Sequence, residues 1–102
     1  MSLDLPLGGP FNIASYSILT HMVAQAVDMD PGKFIWSTGD THVYEDQFDA
    51  VCQQVIRKDD LKPFPIITLK NRGQSIFEYE YEDFTLEGYD PHPAIKFPNA
   101  AV

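Results

Sequence analysis

Two stretches of the chain carry apolar residues at helical spacing. From Ile13 onward, apolar side chains recur three and four positions apart, which predicts an amphipathic helix. Asn12 would cap this helix, since its side-chain oxygen can accept an N–H of the first turn. Pro31-Gly32 would end it. A second amphipathic helix is predicted from about Glu45 to Arg57, where the same spacing returns.

Four further stretches have strand-like patterns. The segment Phe34–Tyr44 is rich in β-branched and aromatic residues, with a kink expected at Gly39. Ile66–Leu69 reads as a short buried strand, and aromatic residues alternate with glutamates over Phe77–Tyr81. Phe84–Glu87 could form another short strand. Because helices and strands do not alternate regularly, we predict an α+β fold with two amphipathic helices packed on a mixed β-sheet.

Composition limits the class of protein. The 102 residues fit one small domain, and 44% hydrophobic with 13% aromatic residues indicates a packed chain. The net charge of −8 argues against nucleic acid as a partner, because phosphate contacts need clustered Lys and Arg. No apolar run is long enough to span a membrane, and no signal peptide is visible. These features favour a cytoplasmic protein.

The single cysteine and the histidines suggest no catalytic or metal centre. Cys52 has Val51, Val55 and Ile56 as its helical neighbours, so we expect a buried thiol that packs as a small hydrophobe. His21 and His92 lack metal-ligand spacing with cysteines or carboxylates, and we expect no metal.

Three polar residues are open to two interpretations. Asn12 can be a helix cap, or its amide can read the edge of a pyrimidine, since it both donates and accepts hydrogen bonds. His42 and Tyr44 lie two positions apart and would project from one face of a strand. They could converge on one hydroxyl group of a ligand, or be a surface histidine beside a packing tyrosine.

Several motifs together have a more specific meaning. They are Gly9-Pro10-Phe11-Asn12-Ile13-Ala14-Ser15-Tyr16, Gly39-Asp40-Thr41-His42-Val43-Tyr44, Tyr89-Asp90-Pro91-His92-Pro93 and Ile95-Lys96. At this spacing they resemble the nucleotide-binding half of thymidylate synthase, and the resemblance covers nearly the whole chain. Residues 1–102 would then be the C-terminal portion of such a domain. The nucleophilic cysteine and the phosphate-binding arginines of the family lie upstream of this segment, and no residue here replaces them.

The resemblance implies roles for individual residues in binding deoxyuridylate (dUMP). Asn12 matches the asparagine that pairs with the uracil ring, where the related deoxycytidylate hydroxymethylases carry aspartate. His42 and Tyr44 match the pair that holds the deoxyribose 3′-hydroxyl. Asp4 matches an aspartate that serves both nucleotide and folate. Ser2 matches a serine that helps to bind phosphate, although Met1-Ser2-Leu3 can equally be an added start of the chain.

For the folate, the resemblance implies contacts from Asp4, Phe11 and the Ala100 region. The chain departs from the family at Met1, where relatives have arginine, and at Gly9, where most have leucine. Loss of the leucine side chain would leave a more flexible loop and less apolar contact for the folate.

The function implied is methylation of dUMP to dTMP with 5,10-methylenetetrahydrofolate as co-substrate. In the family a cysteine thiolate attacks C6 of dUMP, which splits a hard step into easier ones. Without that cysteine we expect this chain alone to be inactive. The alternative is a non-catalytic remnant that binds a partner or assembles with itself. Because both helices carry apolar faces, we expect a homo-oligomer.

Overall fold

A computed structural model of the chain describes residues 2–70 and 75–98. These residues confirm the α+β class and form two compact units. The first unit contains residues 2–14, 36–62 and 91–98, and the second contains residues 15–35, 63–70 and 75–90. The elements in chain order are β1 (Ser2–Asp4), α1 (Gly9–Ala26), β2 (Asp40–His42), α2 (Phe48–Ile56), β3 (Ile66–Leu69) and β4 (Phe84–Glu87).

The described strands form two separate two-stranded sheets, where the sequence predicted one mixed sheet. In the first unit, β1 and β2 are parallel, and Asp4 lies opposite His42. In the second unit, β3 and β4 are antiparallel, and Leu69 lies opposite Phe84. Both strands of the second sheet were predicted with these bounds. The expectation that Ile66–Leu69 is buried was wrong, since Ile66 is 65% exposed.

Helix α1 begins and ends at residues other than those predicted. It starts at Gly9, so Asn12 lies inside the helix and is not its cap, and Gly9 is helical rather than part of a loop. Pro10 suits the first turn, because the N–H that it lacks would have no partner there. The helix ends at Ala26, before Pro31-Gly32.

A Schellman motif explains the early end of α1. Asp28 adopts a left-handed conformation with φ of 55°. The N–H of Met29 donates to the carbonyl of Ala24 at 2.8 Å, and the N–H of Asp28 donates to that of Gln25 at 3.2 Å. These two bonds satisfy carbonyls that the last turn leaves open. The turn-forming aspartate therefore stops the helix.

Two predicted strands are largely replaced by other structure. Of Phe34–Tyr44 only Asp40–His42 is a strand, because β1 offers just three positions with which to pair. The alternating segment Phe77–Tyr81 forms no strand. Single 3-10 turns occupy Ile76–Glu78 and Tyr81–Asp83, and Phe77 is 89% exposed.

Local side-chain hydrogen bonds account for these turns. The hydroxyl of Ser75 accepts from the N–H of Phe77, and the carboxylate of Glu78 accepts from the N–H of Ser75. The buried carboxylate of Asp83 accepts from the N–H of Glu80 at 2.8 Å. Short polar side chains offer the backbone such an alternative to a sheet ladder. Capping therefore overrides the apolar alternation.

The second predicted helix forms, but Cys52 is not buried in it. Helix α2 covers Phe48–Ile56 and is extended by 3-10 turns at Glu45–Gln47 and Arg57–Asp59. Its buried residue is Ala50, whereas Cys52 is exposed. The prediction of a buried thiol was wrong, because no described residue covers the outward side of this apolar helix.

The core of the described residues is small, and much apolar surface is exposed. The buried apolar residues among them are Leu3 and Ala50 in the first unit and Ala24 in the second. The large apolar or aromatic side chains that are exposed include Tyr16, Leu19, Val23, Val27, Phe48, Val55, Ile56, Phe64, Tyr81 and Leu86. No helix of residues 2–70 and 75–98 is long and apolar enough to cross a membrane.

Candidate functional site

Asp4 lies at the junction between β1 and α1. One carboxylate oxygen, Oδ1, accepts a hydrogen bond from the N–H of Leu7 at 3.1 Å. The carbonyl of Asp4 accepts one from the N–H of Gly8 at 2.9 Å. Together these bonds fold the chain back from the strand into the helix, as short polar side chains often do at turns.

Gly8 permits a close approach inside this turn. A Cβ at Gly8 would lie 3.2 Å from the carbonyl oxygen of Asp4 and 3.5 Å from Nδ2 of Asn12. The backbone N–H of Asn12 in turn donates to the carbonyl of Gly8 at 3.0 Å. The half-buried amide of Asn12 is thereby held near the turn that begins at Asp4.

His42 and Tyr44 lie next to each other beside this turn. The two ring centroids are 5.0 Å apart, and the rings meet edge to face at 72°. Nδ1 of His42 is 3.7 Å from Oδ1 of the exposed Asp40. The carbonyl of His42 accepts from the N–H of Leu5 at 3.0 Å, which continues the pairing of β1 with β2. Both rings are half-buried, so each keeps surface for contact with a ligand.

A buried glutamine connects these residues. Gln47 is 1% exposed, and its Nε2 donates to Oδ2 of Asp4 at 2.9 Å. Its Oε1 accepts the N–H of Tyr44 at 3.1 Å, while its own N–H donates to the carbonyl of Tyr44 at 3.0 Å. One side chain therefore joins Asp4, before α1, to Tyr44, after β2.

The other predicted residues differ in their positions. Ser2 is an exposed residue of β1 that lies opposite Asp40. Phe11 is in the first turns of α1 and is 74% exposed. Ala100 lies outside the described residues. The structure thus brings Asp4, His42 and Tyr44 together through hydrogen bonds and ring contact.

An apolar cavity of about 420 Å³ also lies in the first unit. Its wall includes Leu3, Trp36 and Val51, and Asn12, His42 and Tyr44 do not belong to it. The polar cluster and the cavity are therefore distinct features. No three His, Cys, Asp or Glu side chains of residues 2–70 and 75–98 are grouped in a way that could hold a metal ion.

Sequence reasoning missed Gln47. Gln47 has the spacing of a capping box, three positions after the N-cap, but Tyr44 is not one of the short polar residues that mark such a box in a sequence. That spacing explains its bond to the N–H of Tyr44. The contact with Asp4 depends on tertiary structure, because residues 4 and 47 are far apart in the chain.

One comparison with known proteins bears on this cluster. The family model described as thymidylate synthase matches residues 1–101. The match covers all the elements described above.

Proposed function

Because the chain belongs to the thymidylate synthase family, we propose that its first unit binds the base and sugar of dUMP. The observation that carries this proposal is the cluster of Asp4, His42 and Tyr44, which Gln47 ties together. Asp4 and His42 lie opposite each other in the parallel strands β1 and β2, and Tyr44 follows two residues after His42. A site built this way holds its ligand-binding groups in a fixed arrangement.

In this proposal His42 and Tyr44 hold the 3′-hydroxyl of the deoxyribose. A hydroxyl group can donate one hydrogen bond and accept others. An imidazole nitrogen and a phenol, on rings 5.0 Å apart, can satisfy such a group from two sides. Asp40 is too exposed and too distant to compete strongly for His42, since surface ion pairs contribute little.

Asn12 reads the base. Its amide can donate to one edge atom of uracil and accept from the neighbouring N–H, a pattern that cytosine reverses. The amide is half-buried near Gly8, where water is partly excluded. A base with the reversed pattern would leave the Asn12 amide without a hydrogen-bond partner, which lowers affinity because the amide is partly shielded from water.

The folate co-substrate would lie beside Phe11 and Asp4. When bound, 5,10-methylenetetrahydrofolate supplies the one-carbon unit and the hydride. The exposed ring of Phe11 offers apolar surface on which a flat ring system can stack. Gly8 keeps the turn open where a side chain would crowd Asp4 and Asn12. These features fit such a ligand.

We further propose that this chain alone does not catalyse methyl transfer. The reaction needs a thiolate, and Cys52 supplies the sole thiol of the sequence. Cys52 is exposed on α2, whereas the proposed site is built from Asp4, Asn12, His42 and Tyr44, which lie outside that helix. The net charge of −8 also opposes a dianionic ligand, so arginines from another segment or subunit would have to bind the phosphate.

The test of base recognition is an NMR titration of the chain with dUMP and with deoxycytidylate. The unmodified chain should bind dUMP about tenfold more tightly, since one matched hydrogen-bond pair is worth about 1.4 kcal/mol. The variant Asn12→Asp should reverse the preference. Failure of both nucleotides to shift any resonance of the first unit would refute the proposed function.

A matched control separates recognition from charge. Gln53→Glu adds the same negative charge at an exposed position of α2. It should weaken binding of both nucleotides equally and leave their ratio unchanged. A reversed preference in this control would mean that charge alone, and not Asn12, selects the base.

Self-assembly is the second candidate, and the exposed apolar side chains favour it. Burial of apolar area contributes about 25 cal/mol per Å², so a few hundred Å² is worth several kcal/mol. We propose that the chain forms a homo-oligomer. Sedimentation equilibrium at micromolar concentration should give a mass above 11.5 kDa. A folded monomer would contradict this second proposal without affecting nucleotide recognition.

A further inference from the structure

We propose that Gln47 is a positioning residue that sets the recognition of the sugar 3′-hydroxyl, through its bonds to Tyr44 and Asp4. The inference rests on the proposed function, because it assigns a role within the same site. Gln47 makes its hydrogen bonds with other protein groups, and it lies outside the sequence motifs given above.

The side-chain amide of Gln47 bridges Asp4 and Tyr44. Its Nε2 holds Oδ2 of Asp4 at 2.9 Å, and its Oε1 holds the N–H of Tyr44 at 3.1 Å. Asp4 is fixed at the opposite oxygen by the N–H of Leu7. The backbone of Tyr44 is therefore anchored to the turn that precedes α1.

The chemistry of the bridge requires an amide. One end must donate to a carboxylate, and the other must accept from an N–H. Glutamine does both without carrying charge. Because Gln47 is only 1% exposed, water cannot readily take the place of its amide in these contacts. Methionine has similar length but neither function, and glutamate keeps the acceptor while losing the donor.

A purely structural role is the rival interpretation. Gln47 also closes the 3-10 turn Glu45–Gln47 by donating its N–H to the carbonyl of Tyr44. If stability were its only role, substitution would reduce the folded fraction and weaken all ligands alike. A positioning role instead acts selectively on the ligand group that Tyr44 contacts.

The experiment compares dUMP with its 3′-deoxy analogue, which lacks that hydroxyl. Dissociation constants are measured by NMR titration on the folded fraction of the full chain. For the unmodified chain the analogue should bind about fivefold more weakly, as expected for loss of one hydrogen bond. For Gln47→Met this ratio should fall towards one. For Gln25→Met, a half-buried glutamine of the second unit, the ratio should stay unchanged.

The outcomes separate the two proposals. A ratio near one in the unmodified chain, or no binding, would overturn the sugar site and the role of Gln47 together. A fivefold ratio that persists in Gln47→Met would overturn the positioning role and leave the proposed function standing. If Gln47→Met does not fold, Gln47→Glu serves as the second variant. Its carboxylate would lie against that of Asp4, so the ratio should again fall, and a retained ratio would overturn the inference.

Discussion

Two glutamines, one in each compact unit, make similar hydrogen bonds with different consequences. In the first unit, Gln47 bridges a carboxylate and a backbone N–H and is almost fully buried. In the second unit, Gln25 accepts from the hydroxyl of Tyr79 and donates to the carbonyl of Leu69 at 3.4 Å. Each amide uses both of its functions and connects distant segments of the chain.

The difference lies in the partners. Gln25 bonds to two neutral groups that belong to the framework of the second unit. Gln47 bonds to a charged group, Asp4, and to the backbone of Tyr44, both of which we assign to ligand binding. Hydrogen bonds to charged groups are about twice as strong as neutral ones. A buried amide is therefore informative about function through the groups that it holds in place.

The largest effect on stability should come from Gln47→Met. The substitution removes the amide that bonds to Oδ2 of Asp4 and to the N–H of Tyr44. Gln47 is 1% exposed, so water cannot readily take the place of that amide. We expect the free energy of unfolding to fall by about 2 kcal/mol, as is typical for hydrogen bonds that involve a charge. Urea denaturation followed by circular dichroism measures this change. A smaller loss than that of Gln25→Met would contradict the stronger bonding that we assign to Gln47.

A smaller loss is expected for Gln25→Met. Its bonds are to neutral partners, and one is long at 3.4 Å, so we expect a loss of about 1 kcal/mol. Tyr79→Phe removes the hydroxyl on the other side of the contact. In a double-mutant cycle the two substitutions should be less than additive, because each removes the same bond. Full additivity would show that the Gln25–Tyr79 bond contributes nothing to stability.

A gain in stability is predicted for Asp28→Gly at the end of α1. Asp28 has φ of 55°, a conformation that glycine adopts without steric cost. Since the Schellman bonds are made by the backbone, they remain, and we expect about 0.5 to 1 kcal/mol of stabilisation. Asp28→Ala is the matched control, as it keeps the steric cost and should not stabilise. Equal thermal midpoints for the two variants would contradict this explanation.

The smallest effect concerns Cys52. Because its side chain is exposed, a disulfide reagent should label the folded chain at a rate near that of a free thiol. dUMP should not protect it, since we place the ligand elsewhere in the unit. Cys52→Ser should change the free energy of unfolding by less than about 0.5 kcal/mol. Strong protection by the nucleotide would place Cys52 at the site and reopen its role in catalysis.

The sequence predicted the elements that rest on local patterns of adequate length. Helix α2 lies where the spacing of apolar residues indicated, and strands β3 and β4 lie at the two short stretches that were predicted as strands. The pair His42 and Tyr44 was also expected to share one side of the chain, and their rings are in contact. Local periodicity suffices in such cases, because neighbouring positions determine the face on which each side chain lies.

Other features depended on contacts that periodicity does not encode. The strand predicted over Phe34–Tyr44 is limited by its short partner, β1. The segment Phe77–Tyr81 follows its capping side chains rather than its alternation. Cys52 is exposed because an apolar pattern shows which residues share a face, not whether anything covers that face. The bridge from Gln47 to Asp4 was missed for the same reason.

The parallel pairing of β1 with β2 has a consequence for when the cluster of Asp4, His42 and Tyr44 can assemble during synthesis. During synthesis, residues 2–4 leave the ribosome well before their partners at residues 40–42, which emerge only after the whole of α1. Parallel strands need such a crossover, and its closure makes their pairing late and slow. Gln47 follows later still. Asp4 can therefore contact His42 and Gln47 only at a late stage. The antiparallel pairing of β3 with β4 joins segments that lie much closer together in the chain.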